Sequence, residues 1–177
     1  MKIMIMGQSG AGKSTLARSL QKMTGSPLLA LDRLWLKTDY GKEAERWLFQ
    51  KQERFMADNS DWIIEGNYLS IAKERIEQAD LILLLRLPRH HAIYRVIKRS
   101  IKRKLDKRTR PDVPEEFKEK FDQEYLDFLR YVWRYRKEKE PLALKKLTEQ
   151  GAMAKVVILD GPHQQKAFLE KWRNKSS

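Results

Sequence analysis

One segment near the N-terminus constrains the fold of this 177-residue chain more than any other feature. Its residues, Gly7-Gln8-Ser9-Gly10-Ala11-Gly12-Lys13-Ser14, fit the pattern G-x-x-x-x-G-K-[ST] between an apolar run, residues 2–6, and a helical pattern, residues 13–23. The glycines allow the backbone to fold around an anion, and the helix N-terminus adds about half a positive charge facing it. The segment therefore predicts a loop that binds the phosphates of a nucleoside triphosphate, the alternative being a chance glycine-rich turn.

Two side chains of this loop have expected roles in phosphate and metal binding. Lys13 is expected to neutralise the β- and γ-phosphates, and the Ser14 hydroxyl is expected to ligate Mg²⁺. ATP and Mg²⁺ are therefore the expected cofactors. The expected nucleotide-binding residues are Gly7, Ser9, Gly10, Ala11, Gly12, Lys13, Ser14 and Thr15.

Short apolar runs alternate with helical patterns along the rest of the chain, which indicates an α/β fold around a parallel sheet. The predicted strands are residues 2–6, 28–31, 62–65, 80–87 and 154–159. The predicted helices are residues 13–23, 43–57, 89–104 and 115–139, a short helix between Pro141 and Gly151, and residues 163–172, before a polar tail. In such sheets ligands bind beyond the carboxyl ends of the strands.

Composition excludes several classes of protein. The chain has no cysteine, which excludes disulfides, thiolate metal sites and cysteine nucleophiles. The longest apolar run, Leu81–Leu85, is far shorter than the roughly 20 residues of a membrane span. The N-terminal apolar run is too short for a signal peptide. We therefore expect a cytoplasmic protein with no membrane partner.

Two acidic residues, Asp32 and Glu65, each follow an apolar run and are expected to end a strand. Phosphoryl transfer needs a carboxylate for Mg²⁺ or its waters, and often another that accepts the proton of the phosphoryl acceptor. Glu65 is the candidate for the metal and Asp32 for the acceptor. The alternative is that both acids simply end strands at the solvated edge of the sheet. Asp39 is a weaker candidate.

Positive charge is concentrated in one stretch of the chain. The formal net charge is +13, and residues 86–110 contain eleven basic residues and one acid, leaving little excess elsewhere. In this stretch Arg95, Arg99 and Arg103 recur at i, i+4 and i+8, and apolar residues are expected on the opposite side of the same helix. Those apolar residues are Ile93, Val96, Ile97 and Ile101. The three guanidinium groups are expected to clamp a transferring phosphoryl group, the alternatives being a solvated basic face or a nucleic-acid surface.

Several motifs together resemble a known family over about residues 1–172. They are the glycine-rich loop, Leu31-Asp32-Arg33-Leu34-Trp35, Trp62-Ile63-Ile64-Glu65-Gly66-Asn67-Tyr68, Leu85-Arg86-Leu87-Pro88-Arg89 and Lys107-Arg108-Thr109-Arg110-Pro111-Asp112. With them the chain resembles the bacterial DNA topology modulation proteins (FlaR-like), relatives of adenylate kinase and other P-loop kinases of small molecules.

The resemblance implies a P-loop NTPase fold, a three-layer sandwich with a five-stranded parallel sheet of order 2-3-1-4-5 and a small helical lid. Residues 1–177 would form one domain, with an acceptor-binding insert at residues 33–60 and a basic lid at residues 89–112. Adenylate kinases have Asp-Gly where this chain has Glu65-Gly66, so Glu65 would hold Mg²⁺ directly or through water. Arg95 and Arg99 match the arginines that begin the lid, whereas Arg86 has no counterpart in that pattern.

These observations predict an ATP-dependent kinase of a small molecule. Asp32 would orient the acceptor or take its proton, and Arg95, Arg99 and Arg103 would close over the phosphoryl group. Two alternatives stay open, a nucleotide-dependent DNA-binding regulator and an ATPase switch without an acceptor. The sequence fixes neither the acceptor nor the oligomeric state.

Overall fold

A five-stranded parallel sheet forms the centre of the computed structural model, which describes residues 1–105 and 121–175. The strands are β1 (Lys2–Gly7), β2 (Leu28–Ala30), β3 (Trp62–Glu65), β4 (Leu81–Arg86) and β5 (Val156–Asp160). They are hydrogen-bonded in the order β2-β3-β1-β4-β5, and every neighbouring pair is parallel. The predicted fold class and strand order are therefore confirmed.

Eight helices are described, of which seven lie between strands and α8 follows β5. They are α1 (Lys13–Thr24), α2 (Leu31–Trp35), α3 (Lys42–Asp58), α4 (Lys73–Gln78), α5 (Arg89–Leu105), α6 (Gln123–Glu138), α7 (Glu140–Glu149) and α8 (Gly161–Lys175). Two 3₁₀ turns, Leu69–Ile71 and Met153–Lys155, complete the regular structure of the described residues. None of the described helices is long and apolar enough to cross a membrane.

The sheet is buried on both faces, which explains why its strands are continuous apolar runs. Successive residues of β1 point to opposite faces, so Met4 packs in one core cluster and Ile5 in the other. Helices α3, α4 and α7 contribute buried residues to the first cluster, and α1, α5 and α6 contribute to the second. The result is the expected three-layer arrangement of helices, sheet and helices.

Several element boundaries differ from the sequence-based prediction. Strand β2 ends at Ala30, and Asp32 lies in the first turn of α2, so it does not end the strand. Helix α8 continues to Lys175 and so includes the first two residues of the predicted polar tail, 174–177. Helix α4 and the turn before it were not predicted, because six residues with a single buried apolar side chain give too little periodicity. Residues 115–120 of one predicted helix, and 106–112 of the predicted lid, lie outside the described residues.

The basic helix α5 packs on the core with a different face from the predicted one. Its buried residues are Ala92, Val96, Ser100 and Arg103, whereas Ile101 is 48% exposed. The prediction that Arg95, Arg99 and Arg103 share one solvent face is wrong, because Arg103 is only 2% exposed. An α-helix turns about 100° per residue, so positions eight apart differ by about 80°. This rotation carries Arg103 from the exposed side of α5 to the buried side.

Arg86 acquires a structural role that the sequence did not suggest. Its Nη2 lies 2.6 Å from Oε1 of Glu140, and both side chains are largely buried. Arg86 is the last residue of β4, and Glu140 is the first residue of α7. The ion pair therefore fixes α7 against the carboxyl end of the sheet.

Gly7 provides the first testable prediction, because β1 ends there in contact with β4. Its φ is +130°, and a Cβ at this position would lie 2.1 Å from the carbonyl oxygen of Leu85. We expect Gly7→Ala to lower the free energy of unfolding by about 3 kcal/mol or more, since strain and overpacking add. Gly25→Ala is the control, with φ +72° and nothing within 4 Å of its Cβ. Its expected loss is about 1–2 kcal/mol. Urea unfolding measures both, and equal losses would contradict the close approach of Gly7 to Leu85.

Candidate functional site

The glycine-rich loop runs from the carboxyl end of β1 into the first turn of α1. Gly7, Gly10 and Gly12 all have positive φ angles, 130°, 84° and 100°. Gly12 is the N-cap of α1 and contributes no side-chain cap to it. The main-chain N–H groups of the first turn of α1 are therefore available to bind an anion, as the sequence pattern predicts.

Lys13 extends from α1 back along this loop. Its ammonium is largely buried and donates hydrogen bonds to the carbonyl oxygens of Gly7, at 3.1 Å, and Gln8, at 3.3 Å. Both acceptors are neutral carbonyl groups, and no carboxylate within residues 1–105 and 121–175 forms an ion pair with Lys13. The loop thus presents a lysine whose charge suits a phosphate ligand.

Ser14, in the first turn of α1, lies next to Glu65, at the end of β3. The Ser14 hydroxyl donates to Oε1 of Glu65 over 3.2 Å, and Glu65 is 1% exposed at the end of β3. Hydroxyl and carboxylate oxygens are the hard ligands that Mg²⁺ prefers. The donor set fits Mg²⁺, and it is formed by the two residues that the sequence predicted to hold it.

Asp32 lies at the same edge of the sheet and accepts a hydrogen bond from the Tyr68 side chain. Asp32 itself is exposed. Burial, followed by the nearby carboxylates of Asp32 and Glu65, raises the pKa of the Tyr68 hydroxyl above its ordinary value. Tyr68 therefore remains a neutral hydrogen-bond donor to Asp32 at physiological pH.

Arg75 is a residue of this site that no sequence pattern indicates. Its side chain on α4 is completely buried, and its Nη2 donates to the main-chain oxygen of Asn67 over 2.8 Å. Burial lowers the pKa of Arg75 to about 10, while the nearby Asp32 and Tyr68 act in the opposite direction. Arg75 thus stays positively charged at neutral pH and offsets part of the negative charge of Asp32.

Asn67 links the glycine-rich loop to β3 and to α6. Its Oδ1 accepts from the main-chain N–H of Gly7 at 2.9 Å and from the Tyr135 hydroxyl at 3.3 Å. Its Nδ2 donates to the carbonyl oxygen of Gly7 at 3.1 Å, and Tyr131 also hydrogen-bonds to it. Asn67 belongs to the sequence motif of residues 62–68, which predicted no role for its side chain. Its position two residues beyond a strand next to β1 is the signal that points to such a contact.

Helices α6 and α8 support the remainder of the loop. The Gln8 side chain donates to the carbonyl oxygen of Val132, and the Gln165 side chain donates to that of Ala11 over 2.8 Å. A Cβ on Gly12 would lie 2.9 Å from the Gln165 side chain. The loop is therefore packed between helices, and its conformation is set before any ligand arrives.

The other predicted site residues differ in exposure. Ser9 is half-buried in the loop, and Thr15 is exposed on α1. On α5, Arg95 is exposed, Arg99 is half-buried and Arg103 is buried. Two residues connect β4 to α5, so these arginines follow the strand that pairs with β1.

A substitution of Asn67 tests the linkage between the loop and its surroundings. We expect Asn67→Ala to lower the free energy of unfolding by about 1–3 kcal/mol, because it leaves the buried N–H of Gly7 without its acceptor. Asn59→Ala is a matched control, since Asn59 makes one hydrogen bond, to the carbonyl oxygen of Phe55, at the end of α3. Urea unfolding of both variants gives the comparison. An Asn67→Ala loss no larger than that of Asn59→Ala would contradict the role of Asn67.

Comparison with known proteins identifies the fold. No protein-family model and no curated protein sequence matches the chain. Among solved structures, the shikimate kinase from Acinetobacter baumannii in complex with shikimate matches with a TM-score of 0.58 and 17% sequence identity. The match covers 96% of this chain and 89% of the kinase. The likeness shows that the two proteins share a fold. The narrower resemblance to DNA topology modulation proteins gains no support from it and stays a prediction.

Proposed function

We propose that this protein transfers the γ-phosphoryl group of ATP to a hydroxyl group of a small molecule. One arrangement carries this function, namely the Lys13 ammonium, the Ser14 hydroxyl and the Glu65 carboxylate around the mouth of the glycine-rich loop. The same loop opens the first helix of a fold that is shared with a solved kinase. At 17% identity that likeness supports the fold, and the function is inferred from the side chains of the site.

The loop and Lys13 would bind the donor nucleotide. Main-chain N–H groups of the loop and of the first turn of α1 would contact the phosphate oxygens, except those of Gly7, Gln8 and Ala11, which donate within the protein. Lys13 would move its ammonium from the loop carbonyls to the β- and γ-phosphates. Ser14 and Glu65 would hold Mg²⁺, Glu65 directly or through a bound water. When bound, that ion neutralises charge on the phosphates as the γ-phosphoryl group leaves.

Asp32 would act on the acceptor. Its carboxylate is exposed, it is held by the Tyr68 hydroxyl, and it lies at the sheet edge that also contains Glu65. A carboxylate in this position orients an acceptor hydroxyl and takes its proton. Residues 33–60, which include α3, would form the wall of the acceptor site.

The arginines of α5 would neutralise the transferring phosphoryl group. Arg95 and Arg99 are at least partly accessible, so they are the first candidates for this role. Arg103 is buried and would join them only if α5 shifted.

A lysine substitution tests the proposed function. We expect Lys13→Ala to reduce the rate of ATP turnover by a factor of about 10²–10³ or more, because one fixed charge on the phosphates is lost. Lys22→Ala, in the last turn of the same helix, is the control and should retain the wild-type rate. Circular dichroism would verify that both variants are folded. A folded Lys13→Ala variant with unchanged turnover would contradict the proposal.

Polyanion binding is a second candidate function, and α5 favours it. This helix contains seven lysines and arginines and no acidic residue, and five of the basic side chains are exposed. If α5 binds duplex DNA, the affinity should fall with a log–log salt slope of about −0.9 for each neutralised phosphate. Fluorescence anisotropy with a labelled duplex measures this slope, and absence of binding at low salt would exclude the DNA-binding regulator.

An ATPase switch without an acceptor is distinguished by a separate experiment. If the protein is such a switch, candidate acceptors would neither accelerate ATP consumption nor become phosphorylated.

A further inference from the structure

Two strained tyrosines lie in the same small cluster of aromatic rings. Among the described residues, Tyr40 (φ 64°) and Tyr68 (φ 34°) are the two non-glycine residues with a positive φ. A left-handed backbone costs a bulky residue about 1–2 kcal/mol. Such strain persists where the surroundings enforce it, and it is concentrated at ligand sites.

Both tyrosines contact one tryptophan. The Trp35 ring centroid lies 5.8 Å from that of Tyr40 and 5.7 Å from that of Tyr68. We call these three residues the aromatic platform. Tyr40 is 53% exposed, and Trp35 and Tyr68 are half-buried, so part of the platform is open to solvent. Trp35 and Tyr68 also pack against the first core cluster, which holds the platform on the body of the protein.

The aromatic platform is continuous with the exposed carboxylate of Asp32. Trp35 follows Asp32 by about one turn of α2, and Tyr68 donates its hydrogen bond to Asp32. Aromatic faces beside a carboxylate suit a ligand with apolar C–H groups on one face and hydroxyl groups at its edge. Ring-shaped polyhydroxylated molecules have this character.

The charge of this surface disfavours an anionic ligand. Arg75, which faces Asp32, has a completely buried side chain and cannot contact a bound phosphate or carboxylate. Arg33 is exposed but lies about 100° around α2 from Asp32 and about 160° from Trp35, on the other side of that helix. Of Arg75, Arg33 and Asp32, the group that is both exposed and next to the platform is therefore the Asp32 carboxylate.

We propose that the aromatic platform binds the phosphoryl acceptor as an uncharged, hydroxyl-bearing ring, stacked on Trp35 and Tyr40 with one hydroxyl at Asp32. This deepens the proposed function and rests on it for the transfer step. In that step the hydroxyl oxygen forms a bond to the γ-phosphorus, and the bond from that phosphorus to the β–γ bridging oxygen breaks, which releases ADP. The hydroxyl proton passes to the Asp32 carboxylate and then to solvent.

Binding is tested first, without ATP, so that the result does not depend on catalysis. Saturation-transfer NMR on the full chain would compare three uncharged rings, glucose, myo-inositol and uridine, with uridine monophosphate and shikimate as anionic compounds. We expect at least one uncharged ring to bind, and the three distinguish a free sugar, a cyclitol and the ribose of a nucleoside. We expect its dissociation constant to rise about five- to tenfold in Trp35→Leu, because the stacking contact is lost.

Two further variants separate a binding role from a folding role. Trp35→Phe keeps an aromatic face and should restore most of the affinity. Trp133→Leu removes a tryptophan of α6 that is 44% exposed, and it should leave the affinity unchanged. If Trp35→Leu is unfolded by circular dichroism, the comparison of Trp35→Phe with Tyr40→Leu replaces it.

A transfer experiment then distinguishes the two levels of the proposal. With ATP and Mg²⁺, labelled phosphate should move to the ring that binds, and Asp32→Asn should abolish the transfer. A ring that binds in a Trp35-dependent manner but is never phosphorylated would refute the kinase function and leave the platform standing. Phosphorylation or Trp35-dependent binding of the anionic compounds alone would overturn the proposal of an uncharged acceptor ring and leave the kinase function standing. Absence of binding by all three uncharged rings at millimolar concentration would also overturn it.

Discussion

The contacts of Gly7 with Leu85 of β4 and with the Asn67 side chain fix the point where the glycine-rich loop begins. Gly7 pairs in register with Leu85 of β4, at a distance that leaves no room for a side chain. On its other side β3 has already ended, and the Asn67 side chain supplies the two hydrogen bonds that a longer strand would have made. Because α1 follows directly from this point, the same contact places Lys13 and Ser14 relative to Glu65.

Buried charges at the carboxyl edge of the sheet fix the positions of the helices around the site. Arg86 pairs with Glu140, and Arg75 is buried close to Asp32. An intact buried ion pair adds little net stability, whereas removal of one partner leaves an uncompensated charge that is strongly destabilising. The main consequence of the Arg86–Glu140 pair is therefore geometric, because it admits one position of α7 against β4. Arg75 has the same effect on the position of α4. Its hydrogen bond to the main chain of Asn67 connects α4, through Asn67, to the glycine-rich loop.

The sequence predicted the features that depend on short-range patterns. Continuous apolar runs marked all five strands, the spacing of Gly7, Gly12 and Lys13 marked the loop, and the resemblance to P-loop kinases supplied the strand order. The features that depend on tertiary contacts could not be predicted. Ile101 is exposed and Arg103 is buried, which is the reverse of the predicted arrangement. The packing of α5 against its neighbours determines which face of the helix is buried, and hydrophobicity alone does not. Arg75 lies in a short helix of mostly polar residues, and no local pattern marks it for burial.

Strand order also distributes charge along the edge of the sheet. From β2 to β4, the strands are followed or ended by Asp32, Glu65, Lys13 and the cations of α5. The two carboxylates therefore lie on the β2–β3 side, where Arg75 offsets part of the charge of Asp32, and the exposed cations of α5 lie on the β1–β4 side. A phosphate donor is attracted to the positive half, and a hydroxyl that must lose a proton is favoured in the negative half. The basic residues of α5 thus lie on one side of the proposed site, and this division would run in the direction that the proposed phosphoryl transfer requires.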